Sequence, residues 1–255
     1  MSYNIAVAGK GGTGKTSLTG ILIDYLTKEK KGEILVVDAD ANANINDVLG
    51  MELNGTIGEI KEKANQMEQK REQYPGGMTK SQYLEYELNS IVEEGDGYDL
   101  LVMGRSEGEG CYCFVNSILK RQIQLMSGHY DYVVMDNEAG MEHISRGVLP
   151  NMQTAILVSD CSRRGIQAVG RIKKLIEECD MHPQQIGLIV NRAPNGVLNE
   201  GTKEEIEIQG LNLLGVVPQD ELVYEYDCEG RPTVELPEDS PVRKAMSEIV
   251  KKLNL

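Results

Sequence analysis

Basic residues are in short supply. The 255-residue chain holds 26 lysines and arginines against 40 aspartates and glutamates, a formal charge of −14. Gripping a phosphodiester backbone normally takes a basic face, so nucleic acid is not an expected partner. The acid excess favours solubility and attracts divalent cations weakly and without specificity. Long apolar runs are also missing. No stretch approaches the ~18 unbroken apolar residues of a membrane-crossing helix. The N-terminal MSYNIAVAGKGG enters a strand pattern at once, without the basic and then apolar segments of a secretory leader. A cytoplasmic chain with no membrane partner is expected. Histidine is scarce: His129, His143 and His182 are the only three, and no two stand at metal-ligand spacing. Low-complexity tracts, repeats and linkers are absent. With 40% hydrophobic residues, one folded domain over residues 1–255 is expected.

What is present begins with short apolar runs: Asn4–Ala8, Ile34–Asp38, Leu100–Met103, Tyr132–Asp136, Ala155–Ser159, Ile186–Asn191 and Leu213–Val217. Most are continuous rather than alternating, as strands covered on both faces are. Helical spacing fills the gaps, with Leu18, Ile21, Leu22, Tyr25 and Leu26 in Thr16–Lys28, and Ile166, Val169, Ile172, Leu175 and Ile176 in Ile166–Cys179. Strand alternating with helix predicts an α/β fold: a mostly parallel central sheet of about seven to eight strands with helices on both faces. The segment Thr56–Ile91 is polar and broken by Tyr74-Pro75-Gly76-Gly77. It reads as two helices packed outside the sheet, a solvated excursion that could also contact a partner. The tail carries Val242, Ala245, Met246, Ile249, Val250 and Leu253 as an apolar stripe, which predicts a last helix docked on the sheet, while Arg243, Lys244, Lys251 and Lys252 keep open an amphipathic helix that binds a membrane surface.

Gly9-Lys10-Gly11-Gly12-Thr13-Gly14-Lys15-Thr16 fits G-x-x-x-x-G-K-[ST], between a strand and a helix. Glycines let successive backbone N–H groups turn inward toward phosphate oxygens, and the helix start adds positive partial charge. Lys15 would hold the β- and γ-phosphates of ATP or ADP, and the Thr16 hydroxyl would bind Mg²⁺. Thr13, Gly14 and Ser17 complete the cradle.

Cysteines are few and unevenly placed. Cys161, Cys179 and Cys228 stand alone, while Cys111 and Cys113 are one residue apart beside Phe114, the only phenylalanine. In an extended segment residues i and i+2 face the same way, so both sulfurs could aim at one point. On a helix they would diverge. A bond between them would close a strained ring. One such pair supplies two ligands where a thiolate site usually takes four. Two copies meeting on a two-fold axis supply four. Soft thiolates suit Ni²⁺, Zn²⁺, Cu⁺ or an iron–sulfur centre.

The stretch KGGTGKT resembles the deviant Walker A motif of the MinD/ParA/nitrogenase iron-protein class, P-loop NTPases of the SIMIBI type. The resemblance implies a nucleotide-sandwich homodimer in which Lys10 reaches the partner's nucleotide. It implies that Asp40 in Asp38-Ala39-Asp40 orients the attacking water, with Asp38 nearer Mg²⁺ or the two reversed. Tyr132–Asp136 resembles a Walker B strand, placing Asp136 behind Mg²⁺. Gly140 fits the glycine that senses the γ-phosphate, while Glu138 stands where many relatives carry proline. His143 follows in MEHISR and could relay nucleotide state to the interface, or simply pack. Asn191, with Arg192, resembles the residue that reads the adenine edge, and the loop at Pro218 resembles the lining of its pocket.

The run GRSEGEGCYCFVNSILKR with YDYVVMDNEAGMEHISRG and AGKGGTGKT is similar to the CooC family, from residue 3 to about residue 220. These are ATPases that assist nickel insertion into carbon monoxide dehydrogenase, with related factors for acetyl-CoA synthase. The resemblance implies that Cys111 and Cys113 bind Ni²⁺ (or Zn²⁺) across the dimer for delivery to such a client. Two other readings stay open. One is an iron–sulfur electron donor like the nitrogenase iron protein, although that family's cysteines lie far apart in sequence. The other is a positioning or scaffold ATPase of the MinD/ParA type with an incidental cysteine pair.

Overall fold

The computed structural model describes residues 2–29, 32–42, 44–105, 112–138, 148–149, 151–253 and 255, with backbone alone for 112–115. One eight-stranded sheet organises them: β1 (Tyr3–Gly9), β2 (Ile34–Ala39), β3 (Glu93–Glu94), β4 (Tyr98–Val102), β5 (Tyr132–Asn137), β6 (Met152–Ser159), β7 (Gln185–Ala193) and β8 (Leu213–Pro218). Their order is β3-β4-β2-β5-β1-β6-β7-β8. All neighbours are parallel except β3 and β4. All seven expected strands are present. The one that composition does not signal is β3, two glutamates paired antiparallel to Leu100 and Asp99.

Strand alternation divides the core in two. On one face Ile5 and Val7 pack with Leu18, Ile21, Leu22 and Leu26 of helix α1 (Lys15–Lys28). On the other, Ala6 and Ala8 pack with Ile166, Val169 and Ile172 of a helix spanning Arg163–Glu178. Residues i and i+2 of a strand share a face, so a continuous apolar strand feeds both layers at once. The remaining helices follow in order: α2 (Ile45–Leu49), α3 (Ile57–Lys70), α4 (Lys80–Ser90), α5 (Tyr112–Met126), the Arg163–Glu178 helix as α6, α7 (Glu200–Ile208), α8 (Glu221–Glu229) and α9 (Pro241–Lys252).

The excursion is more than solvated surface. Capping boxes at Thr56/Glu59 and Thr79/Gln82 start α3 and α4. Ile57, Ile60, Leu88 and Ile91 then join the core beside Leu101, Met103 and Leu119. Two helices are present as expected, but their inner faces complete one layer of the sheet's covering. At the other end, α9 docks on β8 and α1 through Val242, Met246, Ile249 and Val250. Lys252 Nζ donates to the Leu214 carbonyl of β8 at 2.7 Å. Among the described residues no helix is long and apolar enough to cross a membrane.

A candidate nucleotide site at the carboxyl ends of the strands

The P-loop leaves β1 between its neighbours β5 and β6. Space forces the glycines at its two ends. A Cβ at Gly9 would lie 2.1 Å from the Val158 carbonyl oxygen of β6, and one at Gly14 would lie 2.5 Å from Asn191 Nδ2. Gly14 is also left-handed, with φ 82°. The first turn of α1 holds no acidic residue, and no side chain caps it, so its orphan N–H groups keep their affinity for an anion. Thr13 Oγ1 donates to the Lys10 carbonyl at 2.8 Å and Lys15 Nζ to the same oxygen at 3.3 Å. Burial pulls the Lys15 ammonium below lysine's usual pKa, against the raising influence of Asp136, Asp40 and Glu138. A desolvated ammonium at the mouth of a helix suits a phosphate.

Two buried carboxylates face each other across the strands: Asp38 of β2 lies in register with Asp136 of β5. Burial pushes Asp136 up to about 7, although the Thr16 and Thr19 hydroxyls pull it down, the latter donating at 3.3 Å. Burial also pushes Asp38 up to about 6. Acids held this high fit a hard divalent cation that would restore their ionised form. Thr16 and Asp136 are the side chains that suit it. Among the described residues no three His, Cys, Asp or Glu side chains converge as a protein cage, so phosphate and water would complete the shell.

Asp38 also has a structural task. Oδ1 accepts from the Asp40 N–H at 2.8 Å, and Oδ2 accepts from Asn44 and Ile45 N–H at 3.0 and 3.1 Å. Its carboxylate shapes the loop into α2, and with it the position of Asp40. The Asp40 carboxylate in turn accepts from Asn42 at 2.8 Å and stays half-buried at the loop surface.

Asn191 and Arg192 close the loop from β7. Asn191 Nδ2 donates to the Thr13 carbonyl at 2.8 Å, and its Oδ1 accepts from Arg192 N. Arg192 NH1 donates to the Gly12 carbonyl at 3.0 Å from a left-handed backbone, φ 56°. The amide that sequence assigns to adenine is thus also a strut under the P-loop. Pro218 stands nearby at the end of β8, where Gln219 N donates to the Ala193 carbonyl at 3.0 Å.

The fold therefore gathers Lys10 to Ser17, Asp38, Asp40, Asp136, Asn191 and Arg192 on one edge of the sheet, with Pro218 beside them. Gly140, His143 and Cys111 lie outside the described residues, as does the Cys113 side chain. The Cys113 backbone lies in the first turn of α5. Three residues that brace the site from outside escaped the sequence reading. Thr19 sits one turn beyond the motif. Asn137 Nδ2 donates to the Val7 carbonyl at 2.9 Å, tying the end of β5 to β1. Asp160 follows β6 and pairs with Lys10 at 3.4 Å. An acid directly after a strand was the available signal for Asp160, but strand order decides which loop it meets.

A family model for the CobQ/CobB/MinD/ParA nucleotide binding domain matches residues 5–234. The chain belongs to that family. It is a P-loop ATPase with the MinD/ParA fold. An uncharacterized ATP-binding protein of Methanocaldococcus jannaschii is 42% identical over 98% of this chain and 97% of its own. The carbon monoxide dehydrogenase accessory protein CooC of Rhodospirillum rubrum is 24% identical, over 89% and 87%. Among solved structures, MinD of Pyrococcus horikoshii complexed with Mg-ADP superposes with TM-score 0.73 at 22% identity, covering 100% of this chain and 96% of that one.

Proposed function

We propose that this ATPase is a nickel metallochaperone, serving carbon monoxide dehydrogenase or acetyl-CoA synthase and working as an ATP-driven homodimer. The observation that carries the reading is the Cys111-Tyr112-Cys113 pair. β4 is parallel to β2, β5 and β1, so the segment after it leaves the sheet on the P-loop's edge. Two copies closing around nucleotide on that edge would offer four thiolates to one soft metal ion, the cargo. The similarity to CooC supports the same choice.

The chain's own groups divide the work. Lys15 and the first-turn amides of α1 hold phosphate oxygens. Thr16, with Asp136 and Asp38 behind it, would hold Mg²⁺, which would supply positive charge beside the transferred phosphoryl group. Asp40, set by Asp38, orients the attacking water. Lys10 supplies a cation to the nucleotide of the second copy, as an arginine finger does in trans. Asn191, held against Thr13, keeps an amide beside the base.

Anaerobic titration of the reduced protein with nickel, with and without ATP, tests this. One nickel per dimer, lost in Cys113→Ser, is expected. The full-length similarity to MinD, 22% identical over 98% of this chain for the Thermotoga maritima protein, favours a second reading as a positioning ATPase. ATP-dependent binding to lipid vesicles with no tight nickel would select that one.

A further inference from the structure

Lys10 already has a partner within its own protomer. Its Nζ lies 3.4 Å from Asp160 Oδ2, with the two side chains 45% and 35% exposed. The acid is built into place rather than met by chance. Its Oδ1 accepts from the Ser162 N–H at 2.9 Å and from the Ser162 hydroxyl, at the start of α6. Gly165 keeps the space clear, since a Cβ there would lie 2.4 Å from that Oδ1. The carboxylate thus divides its work, with one oxygen for the helix start and the other for Lys10. Arg163, the neighbouring cation, is committed to Glu205 at 3.2 Å. Burial would push Asp160 up, but the Ser162 bonds and the Lys10 charge outweigh it and hold the acid below its ordinary range.

We infer that Asp160 is a positioning residue for the trans lysine: it anchors Lys10 in cis, and the dimer must exchange that anchor for the second copy's nucleotide. The inference rests on the reading of Lys10 given under the proposed function. One ammonium cannot remain against its own Asp160 and also hold a phosphate of the partner's nucleotide, so the two contacts compete. An exposed pair of this kind is worth only ~0–1 kcal/mol. The anchor therefore sets a threshold rather than a block. Each opened anchor costs up to about fivefold in the dimer equilibrium, and two open per dimer. The consequence is that single protomers keep Lys10 away from their own nucleotide, and hydrolysis waits for the second copy.

The test measures ATP hydrolysis per protomer against protein concentration, with Mg²⁺ at low salt. Asp160→Asn is expected to lower the half-saturating protein concentration about three- to twentyfold and to change saturated turnover less than twofold. The gain should shrink in high salt, where exposed pairs are screened. It should vanish in a Lys10→Ala background when dimerisation is read by sedimentation with ATP. Ser162→Ala, which removes a helix cap but leaves Oδ2 to Lys10, should leave the midpoint in place. A higher midpoint, or a loss of saturated turnover, in Asp160→Asn would overturn the proposal by placing the acid across the interface. Hydrolysis that requires Lys10 but ignores Asp160 overturns the proposal alone. Hydrolysis indifferent to Lys10 overturns it together with the trans reading beneath it.

Discussion

The two ends of α1 treat charge in opposite ways. At its start, Lys15 is desolvated with a depressed pKa, and Asp136 and Asp38 are buried with raised ones. At its end, Arg243 of α9 clamps Asp24 through two nitrogens at 2.9 and 2.5 Å, with the Val234 carbonyl beside it and Lys28 on the rim. The first end leaves charges wanting a ligand, and the second pairs its charges within the chain. The helix is thus a stable rod pinned at its finish and held unfinished at its start, as a site that gains by binding should be.

Breaking the finished end should cost the most stability. Arg243→Ala removes a buried guanidinium and its bonds to Asp24 and the Val234 carbonyl, although Lys28 still reaches Asp24 and Glu238, so urea unfolding should show a loss of roughly 2–3 kcal/mol, with hydrolysis per folded molecule retained at low temperature. Breaking the unfinished end should do the reverse. Lys15→Ala should lower kcat by about 10²–10³-fold in steady-state hydrolysis while leaving the unfolding midpoint unchanged or higher. Asp136→Asn sharpens the contrast through pH. A folded carboxyl pKa raised from 3.8 to about 7 gives a contribution that is full below the unfolded pKa and lost as pH rises toward 7. The variant without added nucleotide or metal should therefore gain roughly 1–3 kcal/mol over wild type at pH 7.5, and the gain should fade as pH drops to 4. Thermal unfolding across that range would show it. The smallest effect belongs to Lys28→Ala, under ~1 kcal/mol and erased by high salt, because the lysine is half-exposed.

Much of the molecule was legible in its sequence because both faces of the sheet are covered. A strand such as Val133–Met135 must then be apolar throughout, and continuous apolar runs are easy to see. The P-loop was legible because its chemistry fixes residue types at fixed spacing. What stayed hidden depends on distant pairing. β3 exists only through Leu100 and Asp99, so two glutamates carried no signal. The buried face of α3 was masked by polar residues between Ile57, Ile60 and Ala64. The part Asp38 plays in shaping its loop was hidden because its three backbone donors lie in a loop whose course the sequence does not show. Asp160 could be found only once β6 was known to lie beside β1.

The sheet's two margins share a further property. One ends in a two-residue strand of glutamates, and at the other Lys252 occupies a carbonyl of β8. Short, charged or lysine-covered edges offer a foreign strand no continuous ladder of free amides. For copies that meet over their nucleotides as proposed, such margins work against the sheets fusing into a growing ribbon. The proposed pairing is thereby kept apart from polymerisation, even at high local concentration.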